Sequence, residues 1–183
     1  LSFTKLFSGF AIMGSPDLCC GEQYYRTGLL DIFQEIGNYL QQKFKELGVK
    51  KVITPCIACS NLFSDIHPKF GVEFDFEVET VLDWFSRMIN DGKLKPKMSE
   101  KSSTVTLHDN CEAKSHRNHY FDSAREILEL LGYKVTEMKH NRGSALCCGM
   151  AAFAARHSID DIFAASSRRL KEAEETGATS LVT

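Results

Sequence analysis

Seven cysteines carry the chemistry of this sequence, and they fall in four places: Cys19-Cys20-Gly21, Cys56-Ile57-Ala58-Cys59, Cys111, and Cys147-Cys148-Gly149. An odd number cannot pair completely into disulfides, so ligation, redox chemistry or burial must account for them. A Cys-x-x-Cys alone serves zinc, redox disulfides and clusters alike. The vicinal pairs narrow the choice. Adjacent residues rarely aim both thiolates at one tetrahedral ion, and structural zinc favours ligands about two to four residues apart. A cluster is wider and holds several irons, so neighbouring sulfurs can reach different ones.

The cysteines also repeat. Cys56 lies 36 residues beyond Cys20, Cys147 lies 36 beyond Cys111, and the Cys-Cys-Gly triplet recurs after 128. Inert thiols buried at random would not keep matched spacings. The repeat extends past the cysteines. Each triplet leads into an amphipathic stretch (Leu29 to Leu47, Ile159 to Glu175), then a glycine (Gly48, Gly177), then a β-branched run. Aligning the glycines sets Thr183 on Thr54, so a second Cys-x-x-Cys is expected just beyond Thr183, and the first copy's solitary cysteine ahead of Leu1. The full unit then reads Cys, Cys-Cys-Gly, Cys-x-x-Cys. Five thiolates exceed the four of an ordinary cubane or zinc site, which suggests an unusual cluster or a cysteine held back for substrate.

The elements that must position these thiols can be read from periodicity. Leu29, Leu30, Phe33, Ile36, Leu40, Phe44 and Leu47 recur at helical spacing, and Gly48 ends that helix. Lys51–Thr54 reads as a buried strand, Val78–Ile89 as a helix, Thr104–His108 as a strand, Tyr120–Leu131 as a helix, and Tyr133–Met138 as a strand. Ala151–His157 and Asp160–Glu175 read as helices and Thr179–Thr183 as a strand. Alternation of strand and helix predicts an α/β fold: two pseudo-symmetric half-domains, parallel strands flanked by helices, and cysteines at C-terminal strand ends, where ligands gather in such sheets. Residues 1–92 form the later part of copy one, 93–103 a linker rich in lysine (Lys93, Lys95, Lys97, Lys101), and 104–183 the earlier part of copy two.

Cys19-Cys20-Gly21 with Cys56-x-x-Cys59, and His108-Asp109-Asn110-Cys111 with Cys147-Cys148-Gly149, resemble the CCG (cysteine-rich) domain family. That domain occurs in the B-type and D-type polypeptides of heterodisulfide reductase and in related components of glycerol-3-phosphate, glycolate and lactate oxidation systems. The likeness extends to Arg125-Glu126-Ile127-Leu128, Asn141-Arg142, Glu172-Ala173 and Thr176-Gly177-Ala178. It implies [4Fe–4S] clusters, non-cubane in the heterodisulfide reductases, on Cys19, Cys20, Cys56, Cys59, Cys111, Cys147 and Cys148. It also implies electron transfer to a disulfide or quinone-linked acceptor, with flavin or ferredoxin-like iron–sulfur subunits as partners. The chain departs from the family at Asn110, where proline is common, and at Met150-Ala151-Ala152-Phe153, where a glycine-rich run is usual. With four ligands in one copy and three in the other, the chain alone is expected to be inactive.

Around the cysteines, His108 and Asp109 are candidates for hydrogen bonding to cluster sulfur or for a proton relay, against a purely structural pair. Arg142 and His140 could favour thiolates by charge, against ordinary surface. His116 and His119, beside Lys114 and Arg117, read as solvated surface, and Trp84, Phe85 and Phe44 as core. Two other readings stay open: a zinc-stabilised, non-catalytic binding module, and a thiol redox protein cycling Cys56 and Cys59. A net charge of −2 in 183 residues gives no footprint for nucleic acid. No apolar run reaches the ~18 residues of a membrane span. The start lacks the basic and apolar regions of a signal peptide. A cytoplasmic protein is expected, reaching a membrane only through a partner subunit.

Overall fold

The structure is a computed structural model, and it describes residues 10–12, 19–98, 103–116, 120–150 and 158–183, the side chains of 115 and 116 excepted. Every strand pairing in it is parallel. In the first half, α1 (Glu22–Arg26) and α2 (Leu30–Glu46) lead to β1 (Lys51–Thr54), and β1 pairs in register with β2 (Glu77–Thr80). In the second half, β3 (Thr104–Leu107) is the centre of a three-stranded sheet, between β4 (Lys134–Val135) and β5 (Ser180–Val182). The α/β class is thus present as expected.

Between β1 and β2 the chain makes one continuous helical run. It begins as α3 (Ile57–Asn61), widens into a π-helix over Leu62–Ile66 and tightens into a 3-10 turn over His67–Phe70. After β2 comes α4 (Val81–Asn90). In the second half α5 (Ala113–His116) and α6 (Tyr120–Leu130) follow β3, and α7 (Ile159–Glu175) precedes β5.

Two expectations need correction. Val78–Ile89 is not one helix: its first residues belong to β2, and helix begins only at Val81. The alternation in Glu77-Val78-Glu79-Thr80 explains this, since Val78 packs on the core while Glu79 reaches Lys51 on the neighbouring strand at 3.0 Å. Thr80 then caps the helix, its Oγ1 accepting from Asp83 N at 3.1 Å. Tyr133–Met138 is also shorter than expected. Only Lys134 and Val135 pair as strand, because Glu137 turns to Arg125 and Met138 is fully buried. The expected helix over Ala151–His157 lies outside the described residues, as do His119, Arg117, Lys101 and the side chain of His116.

The first half has an aromatic core. Phe33, Leu40 and Phe44 from α2 meet Leu62 and Phe63, with Phe74, Phe76 and Val78 against them and Cys20 at the edge. Trp84 is buried and Phe85 half-buried, as expected of core residues. The second half buries Val105, Leu107, Phe121 and Met138, but also Asp109, Arg125, Arg169 and Glu172. A small cluster of Ile57, Ala113, Phe121 and Tyr120 joins the halves at the level of the cysteines.

Candidate metal centre

Each Cys-Cys-Gly triplet turns in the same way. Gly21 and Gly149 have φ of +88° and +85°, a left-handed conformation that glycine adopts without steric cost. The amide of each donates back to the first cysteine of its triplet: Gly21 N to Cys19 Sγ at 3.5 Å, and Gly149 N to Cys147 Sγ at 3.3 Å. A side chain could not replace either glycine. A Cβ on Gly21 would stand 2.9 Å from the Phe33 ring, and one on Gly149 would stand 3.0 Å from the Ile162 carbonyl oxygen.

At the first site Cys56 follows the end of β1 and opens α3, which puts Cys59 one turn on. Cys59 lies at the centre of a chain of thiols. Its Sγ is 2.9 Å from Cys20 Sγ, across 39 residues of sequence, and it hydrogen-bonds Cys56 as well. The Cys59 hydrogen bond brings Cys56 down to about 6, aided against burial by the amides of Cys59 and Ala58. Cys20 is lowered in the same way, by Cys59 first and against burial. Cys59, which serves both neighbours, is pushed up as the group that keeps its proton. Cys20 is buried, whereas Cys19 and Cys56 are exposed. Among the described residues no three Cys, His, Asp or Glu side chains are placed so that they could together hold one metal ion. The all-sulfur donor set, partly ionised and partly open to solvent, nevertheless fits the chemistry of an iron–sulfur group.

The second candidate site is that of Cys111, which lies within electrostatic reach of Cys147 and Cys148. Burial raises Cys111, and the neighbouring thiols and Glu112 raise it further, while Arg26 opposes them. Arg26 comes from the other half, at the end of α1. It pairs with Glu22 at 2.7 Å and closely with Glu112. Asn61 Nδ2 donates to Glu112 O at 3.0 Å, so the helix carrying Cys59 is fastened to the turn carrying Cys111. Lys114 Nζ donates to Ala145 O at 2.5 Å, tying the Cys111 turn to the loop ahead of Cys147.

His108, Asp109 and Arg142 stand in two networks whose centres, Asp109 with Arg125 and Arg169 with Glu172, are buried. Asp109 takes both terminal nitrogens of Arg125 at 2.9 Å, and Arg125 also grips Glu137 at 2.6 and 2.8 Å. The second Asp109 oxygen accepts Arg142 N at 2.6 Å, holding Arg142 at φ +48°. Burial would raise Asp109, but Arg125 and the Arg142 amide overcome it and hold the carboxyl below its usual range. The Arg142 guanidinium reaches Asp122 and Glu137. His108 Nδ1 accepts from Arg169 Nε at 2.9 Å, which leaves the hydrogen on Nε2. Arg169 also donates to His140 O and Glu172, and Glu172 binds the His140 ring.

Sequence reasoning missed Arg26, Asn61, His67, Arg169 and Ser166. His67 Nε2 donates to Cys20 O at 3.1 Å, and Ser166 Oγ to Cys148 O at 2.7 Å. A signal existed for Arg125 and Arg169. Each lies on the apolar stripe of its helix, with Phe121 and Ala124 or with Ala165 and Ala173, and an arginine there implies a buried partner.

With these thiols in place, comparison with known proteins is decisive. The family model of the cysteine-rich domain (CCG) matches residues 3–64 and 105–183. The chain belongs to this cysteine-rich domain family. Among family relatives, it is 32% identical over 154 residues to a probable iron-sulfur-binding oxidoreductase, FadF, of Bacillus subtilis, covering 81% of this chain and 21% of that protein. It is 31% identical over 180 residues to the D-type polypeptide of the dihydromethanophenazine:CoB--CoM heterodisulfide reductase of Methanosarcina mazei, covering 95% of this chain and 43% of that polypeptide. It is 28% identical over 140 residues to the EtfAB:quinone oxidoreductase of Syntrophomonas wolfei, covering 76% and 19%. The chain therefore spans less than half the length of these relatives. No solved structure matches it significantly.

Proposed function

We propose that the chain is the thiolate-bearing, electron-transferring part of a larger iron–sulfur oxidoreductase. Its relatives are oxidoreductases or subunits of them, one of them named as iron-sulfur-binding. The observation that carries the reading is the convergence of Cys20 and Cys59 at 2.9 Å from distant stretches of chain, with Cys56 hydrogen-bonded to the same thiol. Cys19, Cys20, Cys56 and Cys59 would hold the group at the first site, and Cys111, Cys147 and Cys148 would contribute to the second. A bound [4Fe–4S] cluster would supply one-electron transfer.

The chain's own residues would then set the conditions. Cys56, ionised near neutral pH, is ready to ligate without losing a proton first. Gly21 and Gly149 amides direct N–H groups at sulfur, which tunes potential. His108, with its hydrogen fixed on Nε2, is a donor of constant tautomer beside Cys111, and the Asp109–Arg125 pair sets the distance between the Cys111 turn and Arg142. We read residues 1–92 and 104–183 as portions of two copies of one unit, joined by 93–103. The identical triplet turns support this. The electrons would pass from flavin or ferredoxin-like partner subunits to a disulfide or quinone-linked acceptor. Alone, the chain would not turn over. No helix among the described residues is long and apolar enough to cross a membrane. A cytoplasmic location, with any membrane contact made through a partner, is part of the same reading.

Anaerobic reconstitution with iron and sulfide, followed by metal analysis and EPR, tests this. Bound iron and sulfide with a reducible EPR signal, diminished in Cys59→Ser, is the expected result. One zinc per chain without iron uptake would make it a zinc-stabilised module. A cycling Cys56–Cys59 disulfide without iron would make it a thiol redox protein.

A further inference from the structure

In both triplets the carbonyl of the second cysteine is held by a side chain from elsewhere, but by different means. Ser166, on the inward face of α7, donates to Cys148 O at 2.7 Å. His67, from the 3-10 turn beyond the π-helix, donates to Cys20 O at 3.1 Å. The helices α2 and α7 correspond at an offset of 129 residues, as the glycines that end them indicate. The packing of the triplets gives the same register: a Cβ on Gly21 would meet Phe33 and Ile36, and one on Gly149 would meet Ile162 and Ala165. In that register Ser166 corresponds to Gly37. The imidazole of His67 lies directly over Gly37, where an added Cβ would be 2.7 Å from its Nδ1. Where α7 carries a serine, α2 carries no side chain, and a ring delivered from the next segment takes its place.

His67 is poorly explained as core filling. It is fully buried, stacked on Phe33 at 4.3 Å between centroids, and its Nδ1 has no hydrogen-bond partner. Burying a lone pair unpaired costs stability that an apolar ring would not cost. The polar atom that is satisfied is the one facing Cys20. His67 also shares the helical run of Cys59, so this run grips the first triplet twice, through the Cys59 thiol and through the imidazole. A π-turn commonly marks such a functional displacement of register.

We propose that His67 is the positioning residue of the first cysteine site, locking the Cys19-Cys20 turn through the Cys20 carbonyl as Ser166 locks Cys147-Cys148. The proposal takes from the reading above only that these cysteines form a site. Its test uses thiol reactivity in the metal-free chain: alkylation under reducing, anaerobic conditions, mapped residue by residue by mass spectrometry. His67→Phe keeps the stacked ring and lacks the donor, and should alkylate Cys19 and Cys20 about tenfold faster, leaving Cys147 and Cys148 unchanged. His67→Gln, with an amide donor, should return toward the native rate. Ser166→Ala should give the converse pattern. In the double variant His67→Ala with Gly37→Ser, a serine stands where α7 has one, and it should regain the protection that His67→Ala alone loses. Native rates in His67→Phe, or equal acceleration of all four thiols, would overturn the proposal. Should His67→Phe not fold, the serine double variant decides: protection supports the proposal and reactivity equal to His67→Ala overturns it. Failure of the native chain to take up iron would refute the proposed function and leave this alkylation result standing.

Discussion

The turn at Cys19-Cys20 rests on rings. Phe33 lies under Gly21, His67 stacks on Phe33, and Phe63, Phe74 and Phe76 close in behind. The same turn at Cys147-Cys148 packs on Ile162 and Ala165 of α7, and the segments leading to it are fastened by ions. Asp109, Arg125 and Glu137 form one network about the buried Asp109–Arg125 pair, and His108, Arg169 and Glu172 form another. The contrast is sharpest where the two helices correspond. Leu40 and Arg169 stand opposite each other in the 129-residue register, and both are buried. One backbone solution for presenting two adjacent thiols is therefore compatible with two kinds of support. Apolar packing holds the first triplet without fixing direction, so directed contacts from His67 and Cys59 are added. The ion networks fasten the segment ahead of the second triplet at His140 and Arg142, and Ser166 reaches the triplet itself.

The largest effect expected from breaking this comparison is at Arg125. Arg125→Met leaves Asp109 buried without its ion-pair partner, though still bonded to the Arg142 amide, and should cost about 3–5 kcal/mol, measured by chemical denaturation. The loss should fall on the second site, so that Cys147 and Cys148 alkylate faster while the Cys20–Cys59 contact stays protected. Uniform exposure of all seven thiols would show that the halves do not have separate supports.

A smaller effect is expected at Glu137. The Arg125 hydrogen bonds hold its carboxyl below the ordinary range, against burial, with Arg142 adding to the shift. A carboxyl depressed in the folded state contributes stability above its unfolded value of ~4.3 and loses it as pH falls toward the folded value. The native chain should therefore lose stability more steeply below about pH 4.3 than Glu137→Gln, whereas the two should run parallel near neutrality. Identical acid profiles would remove Glu137 from the network.

Much of this arrangement was legible in the sequence because it is local or periodic. The triplet turn needs glycine, the α2 stripe announces itself at helical spacing, and the triplet itself recurs after 128 residues. The Val78 segment reads as helix because Val78, Val81, Leu82 and Phe85 also fit a helical stripe. The pairing of Glu77–Thr80 with β1, which decides the matter, is a tertiary contact. His67 was invisible for a similar reason. Its role depends on a π-turn and on the gap above Gly37, neither of which has a residue signature. Arg125 and Arg169 were partly legible, as arginines on otherwise apolar faces, but the partners that make them tolerable come from strand ends far along the chain.

The central claim is that sulfur from separate stretches converges to bind inorganic iron. X-ray absorption at the iron edge of the anaerobically reconstituted chain tests it most directly. The account predicts iron surrounded by sulfur alone, with that sulfur shell depleted when Cys20 or Cys59 is replaced by serine. Iron held by oxygen or nitrogen, or a sulfur shell indifferent to both cysteines, would contradict it.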